Sequence, residues 1–196
     1  MDWFKVQNRT FCGKFCYNIF DGHPCVFFLC EKMYPQLKNR KKILWQKHDY
    51  SSCGFYFVTI CIQNMECVFG DVKNGKMILN VYGEIVKKCW INIPRHFKHV
   101  QLDEFVVMPN HIHGIINMQR DVGNADLRSL RTNDRTKMKL PKIIHGFKSS
   151  VTRIVRQTHN DYTFAWQRSF YDHIIRNDAD LQRIRKYIKN NPKNTA

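Results

Sequence analysis

Acidic side chains are scarce in this sequence of 196 residues. Sixteen Asp and Glu stand against 32 Lys and Arg, which gives a formal net charge of +16. An excess of this size attracts polyanions and favours phosphate contacts, because each contact releases condensed counterions. The charge balance therefore predicts a nucleic acid as the partner, with an ordinary basic surface as the alternative.

Long apolar runs are also missing. No stretch approaches the roughly 18 residues that span a bilayer. The most apolar early stretch, residues 24–30, is short and lacks the basic flank and cleavage site of a signal peptide. None of the eight cysteines forms a Cys-x2-Cys pair, so a zinc ribbon or finger has no support. We therefore expect a cytoplasmic protein with reduced thiols and no membrane association.

The chain divides into two regions of different character. Residues 1–38 are rich in Phe, Cys and Tyr without clear periodicity, and we interpret them as an extension of uncertain structure. Residues 39–196 form the predicted functional domain. A turn is predicted at Asn74-Gly75, a polar loop over 119–138, and the end of the last helix at Pro192.

Hydrophobic patterns in the second region alternate between the periods of strands and helices. They predict strands at 55–62, 104–108 and 111–118, a short strand pair at 164–167 and 172–175, and helices at 80–97, 141–157 and 178–190. This order of elements predicts an α+β fold, in which the helices pack on one face of an antiparallel sheet.

The strongest local signal for chemistry is His111-Ile112-His113 within a predicted strand. Because side chains alternate along a strand, the two imidazoles share one face and Ile112 turns to the other. Such a pair can hold a divalent ion and leave positions open for a phosphate oxygen. Two solvent-facing or hydrogen-bonded histidines are the alternative.

The last predicted helix carries two further candidates. Tyr187 and Asn191 are four residues apart, so they lie on one helix face beside the apolar stripe of Leu181, Ile184 and Ile188. An amide oxygen is a reasonable third metal ligand, and a metal that polarises a phosphate would offset the weak nucleophilicity of a phenol. A tyrosine packed at the core edge and an asparagine at a helix end are the alternatives.

Four ordered segments resemble one known family. They are FYFVTICIQN at 55–64, LDEFVVMPNHIHG at 102–114, WQRSFYDHIIRN at 166–177 and YIKNNP at 187–192. Together they resemble the REP-associated tyrosine transposases of the HUH superfamily, relatives of the bacterial insertion-sequence transposases that move as single strands. The likeness covers residues 38 to 192.

The resemblance implies an RRM-like, or ferredoxin-like, sheet with the catalytic tyrosine on the C-terminal helix. It implies that His111, His113 and Asn191 bind a divalent cation, magnesium or manganese, and that Tyr187 attacks a DNA phosphate. The reaction implied forms a 5′-phosphotyrosine link, frees a 3′-hydroxyl and needs no nucleotide cofactor. The implied substrate is single-stranded DNA with a hairpin, bound by a monomer or a homodimer.

Basic side chains are the expected contacts to the DNA backbone. Lys148, Thr152 and Arg156 are four residues apart, which predicts an outward basic stripe on the helix at 141–157. The residues expected to bind DNA are Lys148, Arg153, Arg156, Arg183, Lys186, Lys189 and the early patch of Arg40, Lys41 and Lys42.

Other functions compete with this interpretation. Relatives usually begin near the early basic patch and continue past the Asn-Pro with a Trp-containing tail, so a catalytically inactive, RRM-like nucleic-acid-binding protein is one alternative. A replication-initiator nuclease of the same superfamily is another, and a metal-dependent phosphoesterase that uses water is a third. A covalent DNA adduct that requires Tyr187 separates the transposase from the first and third of these.

Overall fold

The structure, a computed structural model, describes residues 53–119 and 139–194. Its strands are β1 (Gly54–Cys61), β2 (Gly70–Lys73), β3 (Lys76–Leu79), β4 (Val100–Val107), β5 (His111–Met118) and β6 (Tyr171–Ile175). Its helices are α1 (Val81–Ile91), α2 (Ile93–His96), α3 (Lys139–His159) and α4 (Asp178–Asn194). The predicted extension over 1–38, the domain start at 39, the early basic patch and nearly all of the loop expected at 119–138 lie outside the described residues.

Four strands form one antiparallel sheet in the order β4-β5-β1-β6. β5 and β1 are central, and their register pairs His113 with Thr59, which in turn pairs with Tyr171 of β6. These three residues therefore form a row across the sheet with their side chains on one face. The α+β class and the antiparallel sheet are confirmed.

The two faces of the sheet are covered by different helices. Tyr56, Val58 and Ile60 of β1 pack in a core cluster with residues of α1 and α3, whereas Phe57 packs on the other face with Leu181, Ile184 and Ile188 of α4. The prediction of helices on one face is thus correct for α1 and α3 and differs for α4. The physical reason is that β1 is apolar on both sides, so each side needs a cover.

The predicted turn at Asn74-Gly75 joins a two-stranded hairpin of β2 and β3, which was not predicted as strands. Asn74 and Gly75 have φ values of 52° and 69°, as a tight hairpin turn requires. Asn80 then caps α1, since its side chain accepts a hydrogen bond of 3.0 Å from the amide of Gly83. The helix predicted to reach residue 97 divides after Ile91, because Pro94 lacks the N–H that would continue it.

The C-terminal part differs from the prediction at two places. The strand expected at 164–167 is a single bridge between Trp166 and Ile62, while its partner is present as β6. Asn177 caps α4, since its side chain accepts a 2.8 Å hydrogen bond from the amide of Asp180. Pro192 does not end that helix, which continues to Asn194, because a proline near the C-terminus removes only one hydrogen bond of the final turn. Within the described ranges, every helix is too short or too polar to cross a membrane.

Candidate active site

The histidine pair lies on the sheet face that α4 covers. His111 and His113 are each 3% exposed, and their Nε2 atoms are 3.0 Å apart. Ile112 packs in the core on the opposite face. The predicted placement of both imidazoles on one side of the strand is therefore confirmed.

Both imidazoles are held at their other nitrogen by a polar neighbour. The Nδ1 atom of His113 lies 2.8 Å from the Thr59 hydroxyl, and that of His111 lies 2.6 Å from Oδ1 of Asn110. Sequence reasoning missed both partners. The signal for Thr59 is its position opposite His113, which follows only once the register of β1 against β5 is known.

Burial keeps the two imidazoles neutral at physiological pH. It lowers the pKa of His111 to about 4. Burial, together with the proximity of His111, holds the pKa of His113 well below its usual value. Because a neutral imidazole retains one nitrogen lone pair, each histidine is in the form that coordinates a metal ion.

Tyr187 meets this pair from α4. Its hydroxyl lies 3.3 Å from Nε2 of His113, and the two rings cross at 62° with centroids 5.4 Å apart. The ring also contacts Phe57 edge-on at 6.2 Å, so it is held between the sheet and the helix. The phenol near the chain end and the mid-chain histidines are thus neighbours, as the motifs predicted.

The geometry of the histidines fits a small divalent cation. Two bonds of about 2.1 Å at a right angle, as in octahedral Mg²⁺, put the ligand atoms about 3.0 Å apart, and this is the distance between the two Nε2 atoms. Asn191 is 3% exposed and follows Tyr187 by one helical turn, so it shares that side of α4. Across 53–119 and 139–194 no group of three His, Cys, Asp or Glu has metal-binding geometry, so a third protein ligand there would be of another type, and the Asn191 amide is the one that the sequence predicted.

Two ion pairs fasten α4 to β4 around Tyr187. Nε of Arg185 donates to Oδ1 of Asp103 at 3.0 Å, and Nζ of Lys189 lies 2.8 Å from Glu104. Burial opposes ionisation of Asp103, but the hydrogen bonds from Arg185 and from the Glu104 amide outweigh it and lower the pKa of Asp103. Since Arg185 makes two hydrogen bonds to this carboxylate, the pair fixes the helix orientation.

The residues predicted to bind DNA separate into four groups. Lys148 does not point outward: its Nζ donates to the carbonyls of Gln167 and Ser169, both at 2.8 Å, and burial lowers its pKa to about 8. Arg153 and Arg156 are exposed, but they lie on α3, on the sheet face opposite the histidines.

On α4, Arg183 pairs with Asp180, Lys189 pairs with Glu104, and Lys186 is exposed. Arg40, Lys41 and Lys42 lie outside the described residues. The His173 imidazole, on β6, contacts the Asp180 carboxylate at 2.8 Å.

Known proteins resemble this chain in sequence. A family model described as "Transposase IS200 like" matches residues 131–191. An uncharacterised protein of Haemophilus influenzae is 41% identical over 162 residues, covering 80% of this chain and 89% of that protein. A second H. influenzae protein, provisionally named as a REP-associated tyrosine transposase, is 25% identical over 146 residues, covering 74% of each.

Two solved structures are also similar. A REP-associated tyrosine transposase bound to a REP hairpin has a TM-score of 0.47 and 19% identity, covering 74% of this chain and 70% of that chain. A provisionally named transposase from Deinococcus radiodurans has a TM-score of 0.43 and 13% identity, covering 76% and 98%. The chain belongs to the same family as the 41% identical H. influenzae protein, and it is a homologue of the REP-associated tyrosine transposases whose C-terminal part matches the IS200-like transposase family.

Proposed function

We propose that this transposase is a metal-dependent single-strand DNA endonuclease and strand transferase that acts through a 5′-phosphotyrosine intermediate. One observation carries the proposal: the Tyr187 hydroxyl lies 3.3 Å from Nε2 of a buried, neutral histidine pair. A tyrosine packed only for stability has no need of a buried pair of neutral imidazoles beside its hydroxyl.

His111 and His113, with Asn191, would hold the divalent cation, magnesium or manganese. A bound cation would polarise the scissile phosphate, which compensates for the weak nucleophilicity of a phenol whose ordinary pKa is about 10. The side chains of Phe57 and His113 both contact the Tyr187 ring from the sheet. These contacts restrict the positions of the phenol, which would reduce the entropy lost on reaching the transition state.

The transfer balances without a nucleotide cofactor. Tyr187 Oη forms a bond to phosphorus while the bond from phosphorus to the 3′ oxygen breaks. The phenol gives up its proton and the departing 3′ oxygen takes one up, which leaves a 3′-hydroxyl and a 5′-phosphate esterified to Tyr187. Attack by another 3′-hydroxyl on the phosphotyrosine reverses these steps and joins two strands. No energy source is needed, because the phosphate ester to tyrosine replaces the phosphodiester bond that was broken.

The proposed substrate is single-stranded DNA that folds into a hairpin, as the name of the solved relative suggests. The net charge of +16 supports a polyanion, and the exposed Lys186 beside Tyr187 is the best-placed phosphate contact on α4. Arg153 and Arg156 would reach DNA only where it extends past the edge of the sheet, because α3 lies on the other face.

A gel assay with labelled hairpin DNA and Mn²⁺ tests the proposal. We expect a covalent protein–DNA adduct with the natural chain and none with Tyr187→Phe. Tyr171→Phe is the matched control, since Tyr171 lies on the same sheet face two strands from His113 and its loss should leave the adduct intact. Cleavage that survives Tyr187→Phe would indicate attack by water, and binding without cleavage would indicate a binding protein; either result overturns the proposal.

A further inference from the structure

We propose that Asn110 is a positioning residue that fixes the tautomer of His111 and so keeps its Nε2 lone pair directed at the metal site. This inference rests on the proposed function, because it assigns a task to a side chain next to the proposed metal ligands. It is based on two hydrogen bonds that orient the Asn110 side-chain amide between the Met65 carbonyl and the His111 imidazole.

The two ends of the Asn110 amide have different partners. Nδ2 lies 3.3 Å from the carbonyl oxygen of Met65, and Oδ1 lies 2.6 Å from Nδ1 of His111. Because a carbonyl oxygen only accepts, the nitrogen that faces Met65 must be the donor end of the amide. The end that faces His111 is therefore an acceptor, and Nδ1 of His111 must carry the hydrogen.

The backbone around Asn110 is held as firmly as its side chain. Its carbonyl accepts a 3.0 Å hydrogen bond from the amide of Ile62, which follows β1. The carbonyl of Pro109 accepts bonds of 2.9 Å from the amides of Val68 and Phe69. Since Ile62 and the 68–69 segment both hold this turn, the backbone of Asn110 cannot move away from His111 without breaking hydrogen bonds.

A neutral imidazole carries only one N–H, so a hydrogen at Nδ1 leaves Nε2 without one. With the hydrogen at Nδ1, Nε2 of His111 is left with a lone pair, which is the form that binds a cation. The opposite tautomer would put an N–H at the metal site and leave the Asn110 oxygen and Nδ1 as two acceptors 2.6 Å apart. That arrangement is repulsive in a buried site.

The neighbouring histidine lacks an equivalent restraint. Nδ1 of His113 faces the Thr59 hydroxyl at 2.8 Å, and a hydroxyl both donates and accepts. Thr59 thus accommodates either tautomer of His113. His111 is the fixed member of the pair, and His113 can exchange its hydrogen between the Thr59 side and the His111 side.

The first test reads the tautomer directly in the metal-free protein. Long-range ¹H–¹⁵N spectra at about pH 8, where an ordinary imidazole is neutral, should show His111 with its hydrogen on Nδ1. A wild-type His111 with its hydrogen on Nε2 would overturn the inference without any variant. This measurement needs neither metal nor DNA, so it is independent of catalytic activity.

Two substitutions separate the two hydrogen bonds of Asn110. Asn110→Ala removes both, whereas Asn110→Asp retains an acceptor facing His111, replaces the donor to Met65 by an acceptor and adds a negative charge. We expect Asn110→Ala to give a mixture of tautomers and Mn²⁺ affinity about 10–100-fold weaker, the range for loss of a group that orients a metal ligand. Asn110→Asp should retain the Nδ1 hydrogen and bind Mn²⁺ to within a few-fold of the natural chain.

The outcomes distinguish this inference from the proposed function. If the natural chain binds no Mn²⁺, both fall. If it binds Mn²⁺ and forms the adduct, but Asn110→Ala has the same tautomer and affinity, only the role of Asn110 falls. If Asn110→Asp is as defective as Asn110→Ala, the amide acts through the Met65 loop and the inference is also wrong.

Discussion

Gly114→Ala is predicted to destabilise the fold strongly, although the glycine lies inside a strand. Gly114 follows His113 in β5 and faces α1. A Cβ atom there would lie 2.3 Å from Cζ2 of Trp90 and 2.9 Å from Cε2, whereas carbon atoms ordinarily approach to about 3.5–4.0 Å. The indole is fully buried and packs edge-on against Phe147 at 5.3 Å, so it has no space to retreat.

The overlap of more than about 1 Å puts this change at the upper end of overpacking costs, about 3 kcal/mol. For a chain of this length the melting temperature should fall by about 6–12 °C. In an ordinary strand, replacing Gly by Ala stabilises, since it restricts the unfolded chain. The predicted sign is therefore opposite to the one that backbone entropy alone would give.

Thermal and urea denaturation of a double-mutant cycle measure the effect. Trp90→Phe removes part of the indole, so Gly114→Ala should cost about 2 kcal/mol less in that background than in the natural chain. An unchanged melting temperature for Gly114→Ala alone would refute the reasoning. An equal loss of unfolding free energy on Gly114→Ala in the natural chain and in Trp90→Phe would show that the steric clash is not with Trp90.

Three further changes test the site. As the pH falls from about 6.5 to 4, the free energy of unfolding of the metal-free protein should decrease by about 1.4 kcal/mol per pH unit because of His111 alone. The unfolded chain takes up a proton there that the buried imidazole, with a pKa of about 4, does not bind. Urea midpoints that are equal at about pH 7.5 and 5 would contradict this. Lys186→Met should reduce the slope of log K for DNA binding against log salt concentration by the equivalent of about one phosphate contact. Arg185→Met should leave that slope unchanged, because Arg185 is paired with Asp103. Equal slopes for the two variants in binding titrations would contradict the assignment. Asn191→Ala should weaken Mn²⁺ binding at least about tenfold in calorimetry, and unchanged affinity would exclude the amide as a ligand.

Local periodicity was enough to predict the parts of the site that lie on single elements. The alternation along β5 placed both histidines on one face, and the spacing of Tyr187 and Asn191 placed them on one side of the last helix. These predictions depend on geometry within one strand or one helix. The family motifs supplied the further expectation that the two elements meet.

The prediction that all helices pack on one face of the sheet was wrong for α4, although the sequence holds a signal for the side that this helix covers. An amphipathic stripe shows which helix face is buried but not against which surface. The strand at 55–62 is apolar at nearly every position, and such a run is typical of strands covered on both faces. Phe57, which lies in this run, is one of the residues that pack against α4.

Contacts between distant residues explain the remaining errors. The 3.6-residue period of α3 left Lys148 outside the apolar stripe, yet the 167–169 segment folds over it and supplies two carbonyl acceptors. Thr59 is 54 residues from His113 along the chain, and Asn110 is oriented by Met65. Neither pairing follows from local pattern, because each depends on strand register and on the path of a loop.

Mass spectrometry of the protein after reaction with hairpin DNA and Mn²⁺ tests the central claim most directly. We expect that, after nuclease digestion, a nucleotide remains attached to the peptide that contains Tyr187, with its 5′ phosphate on the phenol oxygen. A nucleotide found on another residue, or cleaved DNA with every tyrosine unmodified throughout the time course, would contradict it.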